Sequence, residues 1–377
     1  MVGVAGFEPA TPASRTQCST GLSHTPTMGR LIASAFGYRK TANGRSERMT
    51  AELRTKIAAA TPAVIEEAAR RLAEGGLVAF PTETVYGLGA DATHPEAVAR
   101  LYRAKGRPSF NPLISHVHDL AGAMRIARLD PTARKLAEAF WPGPLTLVLP
   151  KTPDCAVADI ATAGLDTIAV RMPAHTVARD ILRALGHPIV APSANRSGHV
   201  SPTTAAHVND DLNGRIDLIV DGGPVSVGVE STIVGCLGEP VLLRPGGLPR
   251  AAIEQVLGRP LQRPRPAPTG DGQPVAPGML ASHYAPRTPV RLNATHLEPG
   301  EALLAFGPVT LSGHRVAARI LNLSEGGDLT EAAIHLFGHL RALDAANARA
   351  IAVMPIPERD LGEAINDRLR RAAVPPE

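Results

Sequence analysis

Helical and strand-like patterns of apolar residues alternate along the chain from Ala63 onwards. Apolar positions at helical spacing predict helices over 64–74, 95–104, 132–139, 176–185 and 203–208. Short apolar runs predict buried strands over 77–80, 146–149, 167–170, 189–191, 218–220, 233–234 and 241–243. Because some of these strands are separated by only a short turn, the pattern predicts an α/β fold with a mixed sheet flanked by helices.

A second, smaller α/β pattern follows a segment rich in proline and glycine. Residues 261–277 have the composition of an extended linker. Beyond it, apolar runs over 302–306, 318–321 and 350–354 predict strands, and the spacing over 329–347 and 362–371 predicts helices. We therefore expect a large domain over 60–257, a linker and lid over 258–287, and a small Rossmann-like α/β domain over 288–377.

The first 48 residues show neither helical nor strand periodicity. We predict that this stretch is disordered or is not part of the native product. Met1 and Met49 are then two alternative starts, and a start at Met49 is a hypothesis that the intact mass of the native protein would test. The absence of an apolar run long enough to span a bilayer, or of a signal-peptide layout, predicts a cytoplasmic protein. Cys18, Cys155 and Cys236 are odd in number and far apart, which predicts free thiols rather than a disulfide framework or a zinc site.

Four polar segments interrupt the apolar pattern: PTETVYG at 81–87, KGRPSFNP at 105–112, APSAN at 191–195 and GVEST at 228–232. Each segment borders a predicted strand or helix. Residues that project from the ends of such elements commonly line one shared cleft. The modest formal charge of +4 says little by itself, but lysine is scarce here, so a lysine inside a polar segment indicates a specific role.

The second segment carries two cations at the end of a predicted helix, where Gly106 and Pro108 would stop the helix and turn Lys105 and Arg107 outward. An ammonium group and a bidentate guanidinium together suit a triphosphate. The alternative is that both cations offset the helix dipole and stay in solvent.

The remaining polar residues also leave two interpretations open. Asn111 and His116 offer donors and acceptors to a ligand, and Ser193 and Asn195 would let a phosphate approach backbone N–H groups. Each could equally satisfy the backbone of a turn. A Gly-x-Gly-x-x-Ala match at 87–92 lacks the strand–helix timing of a dinucleotide fold, and we find no phosphate-binding loop, nucleophile elbow or zinc spacing. The residues by themselves thus predict an anion-binding α/β protein.

A longer set of motifs matches a known family. It comprises Lys105-x-Arg107, Ser193-x-Asn195, PTETVYGL at 81–88, WPGPLT at 141–146, VRMP at 170–173, GVEST at 228–232 and LRPG at 243–246. Over residues 63–246 the chain resembles the threonylcarbamoyl-AMP synthase family, the YrdC-like enzymes of tRNA modification. PGM at 277–279 and SHYAP at 282–286 resemble the linker of the longer, two-domain branch.

The resemblance implies a YrdC-like domain that joins L-threonine, bicarbonate and ATP, with Mg²⁺, to give threonylcarbamoyl-AMP and pyrophosphate. By the same resemblance, Lys105 and Arg107 are the catalytic residues. It places the threonine substrate against Thr82, His116, Arg171, Ser231 and the backbone of Ala191. It places ATP against Lys105, Arg107, Asn111, Thr167, Ser193, Asn195, Ser201 and Arg244, with Tyr284 of the linker closing over the nucleotide.

Two other functions are weighed against this one. A non-catalytic RNA-binding or ribosome-maturation protein could use the same basic cleft, and would bind structured RNA in a salt-dependent way without nucleotide turnover. A carbamoyl-transfer enzyme could share the core, but the acylphosphatase and zinc-finger segments usual there are not visible. The synthase interpretation implies partners in downstream tRNA threonylcarbamoyl-transfer enzymes, with possible contact to tRNA or double-stranded RNA and none to a membrane.

Overall fold

A ten-stranded mixed sheet, here the N-terminal sheet, organises the first part of the computed structural model, which describes residues 54–262, 283–314 and 317–374. Its strands are β1 (Lys56–Ala59), β2 (Val78–Pro81), β3 (Tyr86–Asp91), β4 (Ile114–His116), β5 (Leu145–Pro150), β6 (Thr167–Arg171), β7 (Ile189–Val190), β8 (Leu218–Asp221), β9 (Thr232–Gly235) and β10 (Val241–Arg244). They lie in the order β1-β8-β2-β3-β7-β4-β6-β5-β9-β10, with parallel and antiparallel neighbours.

Seven helices accompany the N-terminal sheet among the described residues: α1 (Pro62–Ala73), α2 (Pro95–Lys105), α3 (Leu120–Ile126), α4 (Pro131–Phe140), α5 (Thr176–Leu185), α6 (Ala205–Leu212) and α7 (Arg250–Leu257). Side-chain caps explain where several begin. Thr61, His94 and Asp130 each accept a hydrogen bond from a backbone N–H of the first turn, and a proline follows each of them.

A second, four-stranded sheet follows, here the C-terminal sheet. Its strands are β11 (Val290–Arg291), β12 (Ala302–Ala305), β13 (Ile320–Asn322) and β14 (Ile351–Val353), all parallel and in the order β11-β14-β12-β13. Two long helices, α8 (Leu329–Asp344) and α9 (Leu361–Ala372), pack with it. The hydrophobic core around α8 and α9 also contains Val85, Val200 and Val229, which lie in loops of the N-terminal sheet. The two sheets therefore share a core at the loops that carry the polar segments.

The structure confirms the predicted α/β class: a large mixed sheet flanked by helices and a smaller parallel sheet. The patterns missed β1, β3, β4, β11, α3 and α7. They placed the helix at 203–208 too early, because Thr204 is the cap of α6. The apolar pattern does not predict β3, because β3 contains glycines and glycine is rare in strands. Here Gly89 is required, since a Cβ atom would lie 2.6 Å from the Phe80 ring.

Other expectations fall partly or wholly outside the described ranges. The extension over 1–48, the start at Met49, Cys18 and most of the linker lie beyond them, and the predicted domain boundaries stay predictions. Cys155 and Cys236 are free thiols, as expected. Among the helices of residues 54–262, 283–314 and 317–374, none has the length and apolar character needed to cross a membrane.

Candidate active site

The first polar segment forms the turn between β2 and β3. The buried hydroxyl of Thr82 accepts hydrogen bonds from the backbone N–H groups of Thr84 and Val85, at 3.2 and 3.3 Å, and donates to the Val85 carbonyl at 2.7 Å. Thr82 thus holds the turn closed, in the way expected of a hydroxyl residue in a tight turn. That turn fixes Glu83 and Thr84 against the end of β6.

Arg171, the last residue of β6, forms a buried ion pair with this turn. Its Nη2 donates to Oε1 of Glu83 at 2.6 Å, its Nη1 donates to the Thr84 hydroxyl at 2.9 Å, and its Nε donates to the Gly143 carbonyl at 3.3 Å. The second oxygen of Glu83 accepts from the Ala174 backbone N–H at 3.0 Å. Burial opposes the ionisation of Glu83, but the charge and hydrogen bond of Arg171 outweigh it and lower the pKa of Glu83.

His116 ends β4 beside Arg171 and is almost fully buried. Its Nδ1 lies 3.2 Å from the carbonyl oxygen of Ile114. Burial, reinforced by the nearby charge of Arg171, lowers the pKa of His116 to about 3. The ring is therefore neutral at physiological pH and can offer a hydrogen bond without adding charge.

Lys105 neither turns outward from the helix end, as predicted, nor stays in solvent, as the alternative has it. It is the last residue of α2, it is 3% exposed, and its Nζ donates to the carbonyls of Ser193, at 2.6 Å, and of Asn195. Only the backbone turns at Gly106, with φ +62°, while the side chain lies along the third polar segment. Burial, and then the charge of Arg107, lower the pKa of Lys105 well below its usual range.

Arg107 is half-buried and holds its own loop. Its Nε donates to the Asn111 carbonyl at 3.3 Å and its Nη2 to the Pro112 carbonyl at 3.1 Å. Burial of the guanidinium lowers its pKa to about 10, so it stays charged at neutral pH. The side-chain oxygens of Asn111 and Asn195 are buried without a hydrogen-bond partner among the described residues, which leaves two acceptors unused beside the two cations.

The fourth polar segment brings Ser231 and Arg244 together at neighbouring strand ends. The guanidinium of Arg244 donates to the Ser231 carbonyl at 2.9 and 3.2 Å and to its hydroxyl at 3.3 Å. The Ser231 hydroxyl lies 2.8 Å from that of Thr146 on β5. One residue earlier, Glu230 accepts a hydrogen bond of 2.5 Å from the hydroxyl of Ser201.

These segments surround one cavity of about 50 Å³. Eight of the residues assigned by resemblance line it: Arg107, His116, Arg171, Ala191, Ser193, Ser231, Arg244 and Tyr284. The prediction that separate segments share a cleft therefore holds for all four of them. Six assigned residues do not line this cavity: Thr82, Lys105, Asn111, Thr167, Asn195 and Ser201. Thr167 begins β6, at the end of the strand opposite Arg171. The other five belong to the polar segments around the cavity or, for Ser201, to the loop that contacts Glu230.

Tyr284 closes the cavity from the side of the C-terminal sheet. Its ring stacks on Phe337 of α8, with centroids 5.5 Å apart, and meets the His283 ring edge to face at 4.0 Å. Its backbone has a φ of +63°, which is unusual for a residue with a side chain. The buried Tyr284 hydroxyl has no hydrogen-bond partner among the described residues.

Sequence reasoning gave no role to several residues that the structure places here. Glu83, Thr84 and Glu230 lie inside the motifs. The two glutamates could have been noticed in the sequence, because a carboxylate that becomes buried needs a cationic or hydrogen-bonding partner. His283 lines the cavity next to Tyr284, and burial lowers its pKa to about 3. Arg368 of α9 pairs with Glu230 from 138 residues away, and no local pattern indicates it.

A cavity lined by buried guanidinium groups, a neutral histidine and strand-end hydroxyls defines an α/β protein with a binding site for anionic substrates. Two family profiles match the chain: Sua5, YciO and YrdC, described as "Telomere recombination", over residues 70–246, and the threonylcarbamoyl-AMP synthase C-terminal domain over residues 248–374.

Curated relatives and a solved structure agree with these profiles. The threonylcarbamoyl-AMP synthase of Bacillus subtilis is 42% identical over 322 residues, 82% of this chain and 92% of that protein. That of Pyrococcus abyssi is 44% identical over 328 residues, 82% of this chain and 94% of that protein. The crystal structure of P. abyssi Sua5 complexed with L-threonine superposes with a TM-score of 0.76 at 40% identity, over 85% of this chain and 97% of that one. The chain belongs to the threonylcarbamoyl-AMP synthase family.

Proposed function

We propose that this protein makes L-threonylcarbamoyl-AMP from L-threonine, bicarbonate and ATP, with release of pyrophosphate. The observation that carries the proposal is the single cavity that joins two kinds of recognition group. Arg107 and Arg244 suit phosphate oxygens, while Arg171, His116 and Ser231 suit an amino acid with a carboxylate, an amine and a hydroxyl. The L-threonine bound by the P. abyssi relative fits the second group.

The chemistry requires positioning more than a covalent nucleophile. The threonine amine adds to the carbon of bicarbonate, which yields a carbamate and water, or to carbon dioxide, which yields a carbamate and a proton. A carbamate oxygen then attacks the α-phosphorus of ATP, and the bond to the β-phosphate oxygen breaks, so that pyrophosphate leaves. Lys105, Arg107 and Arg244 would compensate the charge that develops on the phosphates, and their hydrogen bonds to the loops hold them in place in advance.

His116 contributes to this chemistry without carrying charge. With a pKa of about 3 it is a poor proton acceptor at neutral pH, so we assign it to orienting the substrate amine or carboxylate through a hydrogen bond. The guanidinium of Arg171 is held by Glu83 in an orientation that leaves it on the cavity wall.

Mg²⁺ would enter with ATP. In the described ranges there is no group of three or more His, Cys, Asp or Glu side chains that could hold a metal by itself. Mg²⁺ is commonly bound through substrate phosphates with only one or two carboxylates, so this donor set fits a metal that the nucleotide brings. When bound, the ion would neutralise the charge of the leaving pyrophosphate.

The closing lid is a further part of the proposal. A cavity of about 50 Å³ is far smaller than the 300 Å³ or more of typical ligand pockets. We propose that Tyr284 moves to admit ATP and then packs over the nucleotide, which would shield the water-labile carbamate. Tyr284→Phe and Tyr284→Ala variants with unchanged ATP affinity and turnover would contradict this role.

The decisive experiment measures pyrophosphate release with ATP and Mg²⁺, with and without L-threonine and bicarbonate, and identifies the adenylate by mass spectrometry. Lys105→Met should abolish release. Lys135→Met is the matched control, since Lys135 is exposed on α4. Release that ignores L-threonine, or that survives in Lys105→Met, would refute the proposal.

The RNA-binding alternative is not favoured by this geometry. Lys105, Arg171 and Arg244 are each less than 5% exposed and cannot reach an RNA backbone outside the cavity. We propose that the product passes to separate enzymes that transfer the threonylcarbamoyl group to tRNA in the cytoplasm, where ATP and tRNA are available. Direct contact with tRNA or double-stranded RNA would be a secondary property.

A further inference from the structure

One arginine of helix α9, which packs with the C-terminal sheet, lies buried among polar groups beside the cavity. Arg368 is fully buried, and its Nε donates to Oε2 of Glu230 at 2.7 Å. Its Nη1 donates to the carbonyl of Pro245, the residue after Arg244, at 3.0 Å, and to Asp367 at 2.7 Å. A fully buried arginine is costly unless its partners require it, which makes this contact worth explaining.

Glu230 connects Arg368 to Ser201, one of the residues assigned to ATP by resemblance. Its other oxygen, Oε1, accepts from the Ser201 hydroxyl at 2.5 Å, so a single carboxylate joins Arg368 to Ser201. Glu230 itself lines the cavity and precedes Ser231 directly. One ion pair therefore fixes two loops, 228–231 and 196–201, that come from different parts of the N-terminal sheet.

Three more contacts tie the same loops to the C-terminal part of the chain. The Ala285 backbone N–H donates to the Gly198 carbonyl at 2.8 Å, and Arg341 of α8 donates to the Val200 carbonyl. Gly228 lies so close to α8 that a Cβ atom there would be 2.2 Å from the Ala333 carbonyl oxygen. The loops are thus shaped against α8 and α9 and not by the N-terminal sheet alone.

We propose that Arg368 is a positioning residue of the active site, which holds Glu230 in place so that Ser201 and the loop 228–231 are correctly oriented for ATP. On this view the C-terminal sheet and its helices complete the nucleotide-binding site. The inference rests on the proposed function, because it assumes that ATP is the ligand.

The charge of Glu230 depends on this arginine. Burial opposes its ionisation, but Arg368 and then Arg244, with the hydrogen bond from Ser201, lower its pKa. Without Arg368 the burial would dominate, and the pKa of Glu230 would rise. The charged and titratable groups that face Glu230 or its partner are Arg244 of β10, Asp367 and Arg368 of α9, and His283 and Tyr284.

The test compares Arg368→Met, Arg368→Lys and the double variant Arg368→Met/Glu230→Gln in the full chain. We expect kcat/KM for ATP to fall about 100-fold in Arg368→Met, as for a loop displaced by an ångström, with KM for L-threonine little changed. Its kcat/KM for ATP should also rise with pH where the wild type is flat, because only Arg244 and Ser201 would then favour the ionised form of Glu230. Arg368→Lys should restore part of the activity, and Glu230→Gln should remove the pH dependence.

Two controls separate this role from a general loss of structure. Arg370→Met lies on the same helix but breaks an exposed pair with Glu358, so it should behave as the wild type. A folded Arg368→Met enzyme with wild-type kinetics would overturn the proposal. A loss of kcat/KM for ATP that is the same at every pH, and equal in Arg368→Met and in the double variant, would also overturn it. If Arg368→Met does not fold, Ser201→Ala breaks the contact between Ser201 and Glu230, and wild-type ATP affinity in that variant would overturn it instead.

Titration calorimetry with ATP and Mg²⁺ provides a readout that is independent of turnover. A wild-type protein that binds ATP but releases no pyrophosphate would refute the proposed function alone. The affinities of the Arg368 variants would still decide the positioning role, which predicts weaker ATP binding in Arg368→Met and equal binding in Arg370→Met.

Discussion

Replacing Glu83 by Gln tests whether the buried pair between β2 and β6 stabilises the fold around the cavity. The substitution keeps the size of the side chain and an oxygen that can still accept from Arg171. It removes the negative charge, and it leaves the guanidinium of Arg171 charged in a place where it is only 3% exposed.

The expected loss of stability can be bracketed from the contacts. A hydrogen bond to a charged group contributes about 1.5–3 kcal/mol, and removing one partner of a buried ion pair costs about 3–5 kcal/mol. The Gln oxygen retains part of the interaction, and Thr84 and Gly143 still accept from Arg171. We therefore expect the free energy of unfolding to fall by about 2–4 kcal/mol at pH 7.

Urea denaturation of the full chain, followed by fluorescence and by circular dichroism, measures this change. Glu74→Gln is the matched control, because Glu74 pairs with Arg70 at 3.5 Å with both side chains more than 60% exposed. That variant should stay within about 0.5 kcal/mol of the wild type. Equal stabilities for Glu83→Gln and Glu74→Gln would refute the claim that the buried pair stabilises the fold.

The same variant predicts a pH signature. The folded pKa of Glu83 is lowered, so its contribution is present above the unfolded pKa of about 4.3 and is lost as pH falls through the folded value. The stability difference between wild type and Glu83→Gln should therefore shrink below about pH 4. A difference that stays constant into the acid range would show that charge is not its cause.

Three further changes test other parts of the structure. Gly228→Ala should destabilise the protein by about 3 kcal/mol or more, because its Cβ would lie 2.2 Å from a backbone oxygen of α8. Gly164→Ala is the control, since Gly164 has a φ of +74° but lies in open space, and it should cost about 1 kcal/mol. Equal urea midpoints for the two variants would contradict this prediction. His116 has a folded pKa of about 3, below its unfolded value, so it should destabilise the fold as pH falls from about 6.5. A His116→Asn variant should therefore lose less stability on acidification than the wild type. Identical dependences of stability on pH would argue against a neutral buried ring. Trp141→Phe removes the 2.7 Å hydrogen bond from Nε1 to the buried Leu145 carbonyl and should cost about 1–3 kcal/mol. Urea denaturation followed by circular dichroism measures this loss, since Trp141 is the single tryptophan of the sequence, and an unchanged stability would contradict the prediction.

The sequence was sufficient for the fold class because hydrophobic periodicity reports burial directly. It failed where a tertiary contact overrides the local signal. Gly87 and Gly89 concealed β3, and the close packing of this strand on Phe80 and Ile189 requires the second of them. Lys105 follows the rule for helix ends in its backbone but not in its side chain, because the carbonyls of the third polar segment are nearby only in the folded chain.

The candidate site divides in the same way. Residues within the motifs could be assigned because each motif lies at the end of one strand or helix, and the mixed sheet gathers those ends. Thr82 and Thr84 show the limit, since Thr84 lines the cavity and Thr82 does not, and this depends on the turn and not on the motif. Arg368 could not be predicted from the sequence, because the contact that identifies it is with Glu230, 138 residues away.

Buried charges near the cavity connect the C-terminal sheet unit to the N-terminal one. Lys105 and Arg107 lie within 4 Å of no carboxylate among the residues that the structure describes, and both have pKa values lowered by burial. Cations in that state are retained in a protein only where an anionic ligand or a fixed environment compensates them. Carboxylates close to these cations and to the cavity are already paired with arginines: Glu83 with Arg171, Glu230 with Arg368 and Asp211 with Arg341. Arg368 pairs with Glu230, and under the proposed function the charges of Lys105 and Arg107 would then be left for the phosphates of ATP.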